Sequence, residues 1–119
     1  MNVEVEELAR RLDDATLVVL DVRTEGEYVG TRGNACDPRQ GHIPGARNLD
    51  VAELAGCETV EQVQELVGAT PGSEIAAYCH SGSRSALAVQ ILTAAGYEAR
   101  NYAGSWHEWS RREDLGLET

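Results

Sequence analysis

Two short, uninterrupted apolar runs, Leu17-Val18-Val19-Leu20 and Ile75-Ala76-Ala77-Tyr78, limit what this chain can fold into. Neither alternates apolar with polar residues, as a strand with one wet face would. A continuous run of this kind suits a strand of a parallel sheet covered on both faces. Both runs are far too short to span a bilayer. Around them the periodicity is helical. Val5, Leu8, Ala9 and Leu12 recur at i, i+3, i+4 and i+7, the stripe of a short amphipathic helix. Thr59-Val60-Glu61-Gln62 matches a capping box, and Val60, Val63, Leu66 and Val67 follow as an apolar face that Gly68 and Pro71 terminate. A strong helix is predicted over about 84–95, with Gly96 as its stop. Helical turns are expected near 25–28 and 50–54, a tight turn at 42–46, a short strand over 100–102 and a last helix over 106–112. The order α-β-loop-α-β-α-β-α predicts an α/β layer fold with a parallel sheet. Residues 1–119 fit a single domain with its core at about 4–113, and 114–119 read as a loose tail.

The formal net charge is −10, from 20 acidic and 10 basic residues, and every basic residue is Arg. Such a surface disfavours nonspecific nucleic-acid or anionic-membrane binding, so neither is expected as a partner. It also repels small anions, so an anionic substrate needs a local positive site. The amino terminus, Met1-Asn2-Val3-Glu4, lacks the basic start and apolar core of a signal peptide. Cys36, Cys57 and Cys79 are odd in number and form no Cys-x-x-Cys pair, which suggests neither a disulfide framework nor a zinc site. A cytoplasmic protein with reduced thiols and no cofactor or metal is expected.

The chemistry concentrates in Tyr78-Cys79-His80-Ser81-Gly82-Ser83-Arg84-Ser85. Here a cysteine ends a strand immediately before a helix, and the carboxyl ends of parallel strands are where α/β sheets bind ligands. Loop amides and the helix N-terminus direct positive charge at the sulfur and favour the thiolate. Gly82 permits a tight turn, and Ser81, Ser83 and Ser85 offer hydroxyl donors. Arg84 adds a charge that does not titrate away. A cysteine that merely filled the core would need neither the Gly-Ser loop nor the arginine.

Cys79-x4-Arg84 between strand and helix resembles the active-site loop of the rhodanese family. Leu20-Asp21-Val22-Arg23 with Glu27-Tyr28 is similar to that family's first signature, and Gly41-His42-Ile43-Pro44-Gly45-Ala46-Arg47-Asn48 to its second. Tyr102-Ala103-Gly104-Ser105-Trp106 with Trp109 is similar to the ending of the two-domain thiosulfate and 3-mercaptopyruvate sulfurtransferases. The resemblance covers about residues 4–113. It implies a four- or five-stranded, mainly parallel central sheet with helices on both faces. It also implies a sulfurtransferase in which Cys79 becomes a persulfide by attack on a small anionic donor such as thiosulfate. Cyanide, a thiol or a protein acceptor then takes the sulfur. His80, Ser81, Gly82, Ser83 and Arg84 form the binding loop, and His80 either orients an anion or is simply loop polarity. Phosphatases of similar architecture have five residues between Cys and Arg where this chain has four, so phosphatase or arsenate reductase chemistry is the lesser enzymatic reading. The same residues are compatible with a persulfide relay of little turnover, and less so with a noncatalytic binding module, which commonly lacks the cysteine.

Asp21 and Arg23 are expected to form a supporting network behind the site, with Glu27 as partner of Arg23. The resemblance places a substrate-contacting Arg where Glu27 stands, which counts against efficient use of thiosulfate. Arg47 and Trp106 are candidates for the site's periphery, unless their roles are structural. His42 is expected to organise its turn, His107 to face solvent and Cys57 to be structural. Cys36, in the polar insertion 31–40, is either an exposed loop cysteine or a sulfur or disulfide partner of Cys79.

Overall fold

A computed structural model describes residues 2–119 of the chain. The elements run α1 (Val5–Arg10), β1 (Leu17–Asp21), α2 (Glu25–Tyr28), β2 (Arg47–Asn48), α3 (Val51–Ala55), α4 (Val60–Val67), β3 (Glu74–Tyr78), α5 (Ser83–Ala94), β4 (Glu98–Asn101) and α6 (Ser105–Trp109). Among the described residues the strands form one sheet in the order β2-β1-β3-β4, and every pairing is parallel. Asp21 pairs with Tyr78, so β1 and β3 end together and their loops emerge side by side.

The two apolar runs are the central strands, and their side chains divide between the faces by strand alternation. Leu20, Ile75 and Ala77 pack with Leu54, Val63, Val67, Ala88 and Leu92 of α3, α4 and α5 on one face. Val19, Ala76 and Tyr78 pack with Val5, Leu8, Trp106 and Trp109 of α1 and α6 on the other. Both faces are dry, which is why neither run carries a charged residue. With no Phe in the chain, the two tryptophans fill the second core and are fully buried.

Several expectations need correction. β2 has no counterpart among the expected elements, because it is two residues long and follows the 42–46 turn directly. The α4 face is narrower than expected: Val63 and Val67 are buried, whereas Val60 and Leu66 lie outside. Thr59 caps α4 by accepting the Gln62 N–H, but the Gln62 side chain accepts from Glu58 N–H, so the box is not reciprocal. β4 begins two residues earlier than predicted, and α6 is shorter. The tail is docked rather than loose. His42 and Glu118 exchange backbone hydrogen bonds of 2.8 and 2.9 Å, Trp109 Nε1–H donates to Gly116 O, and Leu115 and Leu117 pack against the second core. No described helix is long and apolar enough to cross a membrane.

Candidate active site

β3 delivers Cys79 to the carboxyl end of the sheet, where the chain turns through residues 80–82 into α5. Gly82 sits at φ +99°, and a Cβ there would lie 2.8 Å from the Ala103 carbonyl oxygen, so the turn requires glycine. The turn aims amides inward: the Gly82 N–H donates to Cys79 Sγ at 3.1 Å, and the Ser85 hydroxyl donates to it at 3.3 Å. Burial pushes the Cys79 thiol up, but the Ser85 hydroxyl and the amides of Ser85, Gly82 and Ser81 outweigh it, leaving the thiol below its ordinary value. The thiolate form is therefore favoured at a position only 1% exposed.

The loop is clamped from behind by α6. Cys79 N–H donates to Ser105 Oγ (3.1 Å), and the carbonyls of Cys79 and His80 accept from Trp106 and His107 N–H (3.0 and 2.9 Å). Asn101 Nδ2 donates to the Gly82 carbonyl, also at the back of the loop. Ser105 adopts φ +55°, the single positive φ outside glycine among the described residues. That geometry lets its hydroxyl accept from Cys79 while donating to Tyr102 O.

At the mouth, Arg84 and Glu27 form a two-pronged ion pair at 2.9 and 3.1 Å. Thr24 and Glu27 make a complete capping box on α2, which holds the carboxylate in place. Burial raises the Glu27 carboxyl, but Arg84 and the Thr24 amide outweigh it and hold it at about 2. Thr24, Glu27, Arg32, Gly33, Asn34, His80 and Arg84 line an open cleft of about 380 Å³ beside the loop. Among the described residues, no ion pair to Arg32 is found.

The chain as a whole has counterparts among known proteins. The rhodanese-like domain model matches residues 4–112, almost the whole chain. The chain belongs to that family. The thiosulfate sulfurtransferase of Pseudomonas aeruginosa is 36% identical over 95% of this chain and 44% of its own length. Human thiosulfate:glutathione sulfurtransferase is 31% identical over 94% of this chain and 95% of its own length. A crystal structure of a probable thiosulfate sulfurtransferase superposes with a TM-score of 0.85 at 40% identity, covering 99% of this chain and 47% of that one. The chain thus spans less than half the length of the bacterial relative and of that solved protein.

Within this rhodanese domain, the fold gathers Cys79, His80, Gly82, Arg84 and Glu27, and the remaining sequence candidates distribute as follows. Ser81 and Ser83 do not direct their hydroxyls at the sulfur; Ser81 contributes its amide, and the hydroxyls near the sulfur belong to Ser85 and, 4.0 Å away, to Ser105. Asp21 and Arg23 form the buried pair expected of them. Arg23 also donates to Gly41 O at 2.6 Å, and its guanidinium lies 5.7 and 5.2 Å from the Tyr78 and Trp106 ring centres. Tyr78 Oη donates to Asp21 and accepts from Ile43 N–H, tying the ends of β1 and β3 to the 42–46 turn. Glu27 is not the partner of Arg23. The α2 cap turns it toward Arg84 while Arg23 points inward.

Arg47 is not at the site's periphery. It is exposed, with its guanidinium beside Gly68 at the end of α4 rather than against the cysteine loop. Trp106 is fully buried and donates to Arg39 O, so it supports the loop from behind rather than walling the mouth. His42 stacks flat on Tyr28 at 3.6 Å and organises the turn. His80 faces Asp37, with Nε2 and Oδ2 2.9 Å apart, and its ring meets that of His107 edge-on. All three cysteines are free.

Sequence reasoning missed Asp37, Arg32 and Thr24 as site residues, and it quoted Ser105 in a motif without finding its contact with the Cys79 amide. Only Thr24 carries a readable signal: Thr24-Glu25-Gly26-Glu27 has capping-box spacing. The others act through contacts distant in sequence.

Proposed function

We propose that this domain is a sulfurtransferase carrying sulfane sulfur on Cys79. The observation that carries this reading is the inward turn of the Ser81, Gly82 and Ser85 amides onto a buried Sγ. In the first half-reaction the Cys79 thiolate attacks the outer sulfur of a donor such as thiosulfate, and the donor S–S bond breaks with its electron pair leaving on sulfite. The persulfide anion stays in the amide cradle, which acts on sulfur as an oxyanion hole acts on oxygen. Cyanide or an acceptor thiolate then attacks the outer sulfur and releases the Cys79 thiolate. The four-residue Cys-to-Arg spacing supports a site for one sulfur atom over a tetrahedral phosphate or arsenate. Free thiols at three positions fit a reducing cytoplasm, and the two dry faces of one sheet fit a single-domain unit over about residues 4–113.

A persulfide relay with slow turnover is favoured by one observation: the Arg84 charge is already engaged by Glu27, so the mouth attracts an anionic donor weakly. The deciding experiment is intact-mass measurement after thiosulfate treatment. A gain of one sulfur, reversed by cyanide and absent in Cys79→Ser, is expected; a chain that gains none does not transfer sulfur through Cys79. Fast cyanolysis marks the enzyme, and loading without turnover marks the relay.

A further inference from the structure

A second cluster of reactive groups lies next to the cysteine loop and takes no part in the chemistry above. Cys36 Sγ, Asp37, His80 and His107 converge so that one ligand atom from each lies within 4.8 Å of all the others. Linear spacing gives no hint of this, because three separate segments contribute: the 31–40 insertion, the residue after Cys79, and α6.

The separations around the Asp37 carboxylate approach those of a four-coordinate ion. His80 Nε2 is 2.9 Å from Asp37 Oδ2, His107 Nδ1 is 3.9 Å from Asp37 Oδ1, and Cys36 Sγ is 3.8 Å from Asp37 Oδ1. Around a tetrahedral ion, neighbouring N and O ligands stand roughly 3.3 Å apart and S and O ligands roughly 3.5 Å apart. With one ligand atom from each residue within 4.8 Å of all the others, binding draws the more distant ones inward by up to roughly 1.5 Å.

A second observation points to a ligand. Asp37 Oδ2 and His80 Nε2 are both buried and have no hydrogen-bond partner, although they face each other at 2.9 Å. The Asp37 side chain is 1% exposed. A buried carboxylate oxygen and an imidazole nitrogen left facing without an aligned hydrogen bond are costly, and a shared cation removes that cost. Arg111 occupies the other carboxylate oxygen at 3.0 Å and holds the Cys36 carbonyl at 2.8 Å, which orients the loop while leaving Oδ2 unoccupied. Its charge opposes a cation there, whereas the chain's net charge of −10 favours one.

We infer that Cys36, Asp37, His80 and His107 form a binding site for a borderline divalent transition ion of the zinc class. One thiolate, two imidazoles and one carboxylate match that class rather than magnesium or calcium, which prefer oxygen alone. Binding displaces the Cys36 thiol proton to solvent and uses both imidazoles in their neutral form. The ion ties the 31–40 insertion to the residue following Cys79, joining the Arg32-Gly33-Asn34 wall of the cleft to its His80 wall. The site does not depend on sulfur transfer, and its test is independent of activity.

The test is titration of the metal-free full chain with Co(II), followed by absorption, and then by Zn(II) competition. The expected result is one Co(II) per chain, with tetrahedral visible bands and a thiolate-to-cobalt charge-transfer band that Zn(II) abolishes. Cys36→Ser removes the charge-transfer band, and His107→Ala weakens binding roughly tenfold or more. Both side chains are substantially exposed, so both variants keep the fold. Cys79→Ser binds as the parent does. Absence of saturable binding, a charge-transfer band that survives Cys36→Ser, or a band lost instead in Cys79→Ser overturns the assignment.

Discussion

Replacing Glu27 by glutamine isolates the charge of the ion pair at the mouth. Glutamine keeps a side-chain oxygen able to accept from the Thr24 amide, so the cap on α2 survives while Arg84 loses its counter-ion. Folding depresses the Glu27 carboxyl from 4.5 to about 2, which corresponds to an upper bound of about 3 kcal/mol. Arg84 is 36% exposed, so solvent screening reduces the contribution to about 1–2 kcal/mol. Because the shift is downward, this stability is complete above pH 4.5 and is lost as pH falls toward 2. Urea unfolding should therefore show Glu27→Gln less stable by about 1–2 kcal/mol at neutral pH, with the difference closing as the pH approaches 2. Activity should move the other way. A freed Arg84 facing a doubly charged donor is worth about 1–2 kcal/mol in a half-exposed site, or roughly 5–30-fold in kcat/KM for thiosulfate. The gain should shrink as salt is raised. The assay is cyanolysis at varied thiosulfate concentration and ionic strength. An unchanged or lower kcat/KM with an unchanged salt dependence refutes the view that Glu27 withholds Arg84 from the donor.

Four further substitutions, at three positions, test the scaffold. Gly82→Ala must place a Cβ against Ala103 at positive φ, and should cost about 2–4 kcal/mol by urea denaturation and lower persulfide loading by roughly tenfold or more. Arg23→Ala leaves Asp21 buried without its counter-ion; the expected loss is about 3–5 kcal/mol by the same measurement. Ser105→Ala and Ser105→Gly both strip the Cys79 amide of its acceptor, at about 1–3 kcal/mol. Only alanine retains the left-handed strain, so the glycine variant should be the more stable by about 1 kcal/mol. Equal thermal stabilities would show that Ser105 stores no strain.

The cysteine loop is legible in the sequence because it is local: strand, cysteine, glycine turn and helix follow one another without interruption. The two central strands are legible for the same reason. What escapes a reading of the sequence depends on contacts between distant segments. Arg39 donates to the carbonyls of Trp109, Ser110, Arg112 and Leu115, fixing the 31–40 insertion onto α6 and the tail. Nothing local marks that arginine. β2 exists because Leu49 and Val51 N–H donate to Asp21 and Val22 carbonyls, a pairing set by β1 rather than by any propensity at 47–48. The position of Arg47 is hidden for a related reason: a two-residue strand gives no reading of which end of the sheet its side chain approaches. The tail reads as loose because Leu115 and Leu117 are too few to show a period, yet two residues suffice to dock it once Glu118 pairs with His42.

The electrostatics of the site follow from what surrounds the sulfur. The one cation of the loop is paired with a carboxylate, and the chain as a whole is strongly acidic. Stabilisation of an anionic sulfur is therefore assigned to neutral dipoles: the amides of Ser81, Gly82 and Ser85 and the hydroxyl of Ser85. Dipoles act over shorter distances than charges, so they favour an anion seated in the cradle far more than one approaching it. A thiolate and a persulfide held there gain almost equally, whereas a donor still in the cleft gains little. On the proposed sulfur-transfer reading, the cradle sets the energy of the loaded intermediate, and the charged residues that line the mouth, Glu27, Arg84 and Arg32, set which donors reach it. If those two tasks are separate, a change at residue 27 is expected to alter donor preference without disturbing the bound sulfur, read as a changed kcat/KM with unchanged persulfide loading.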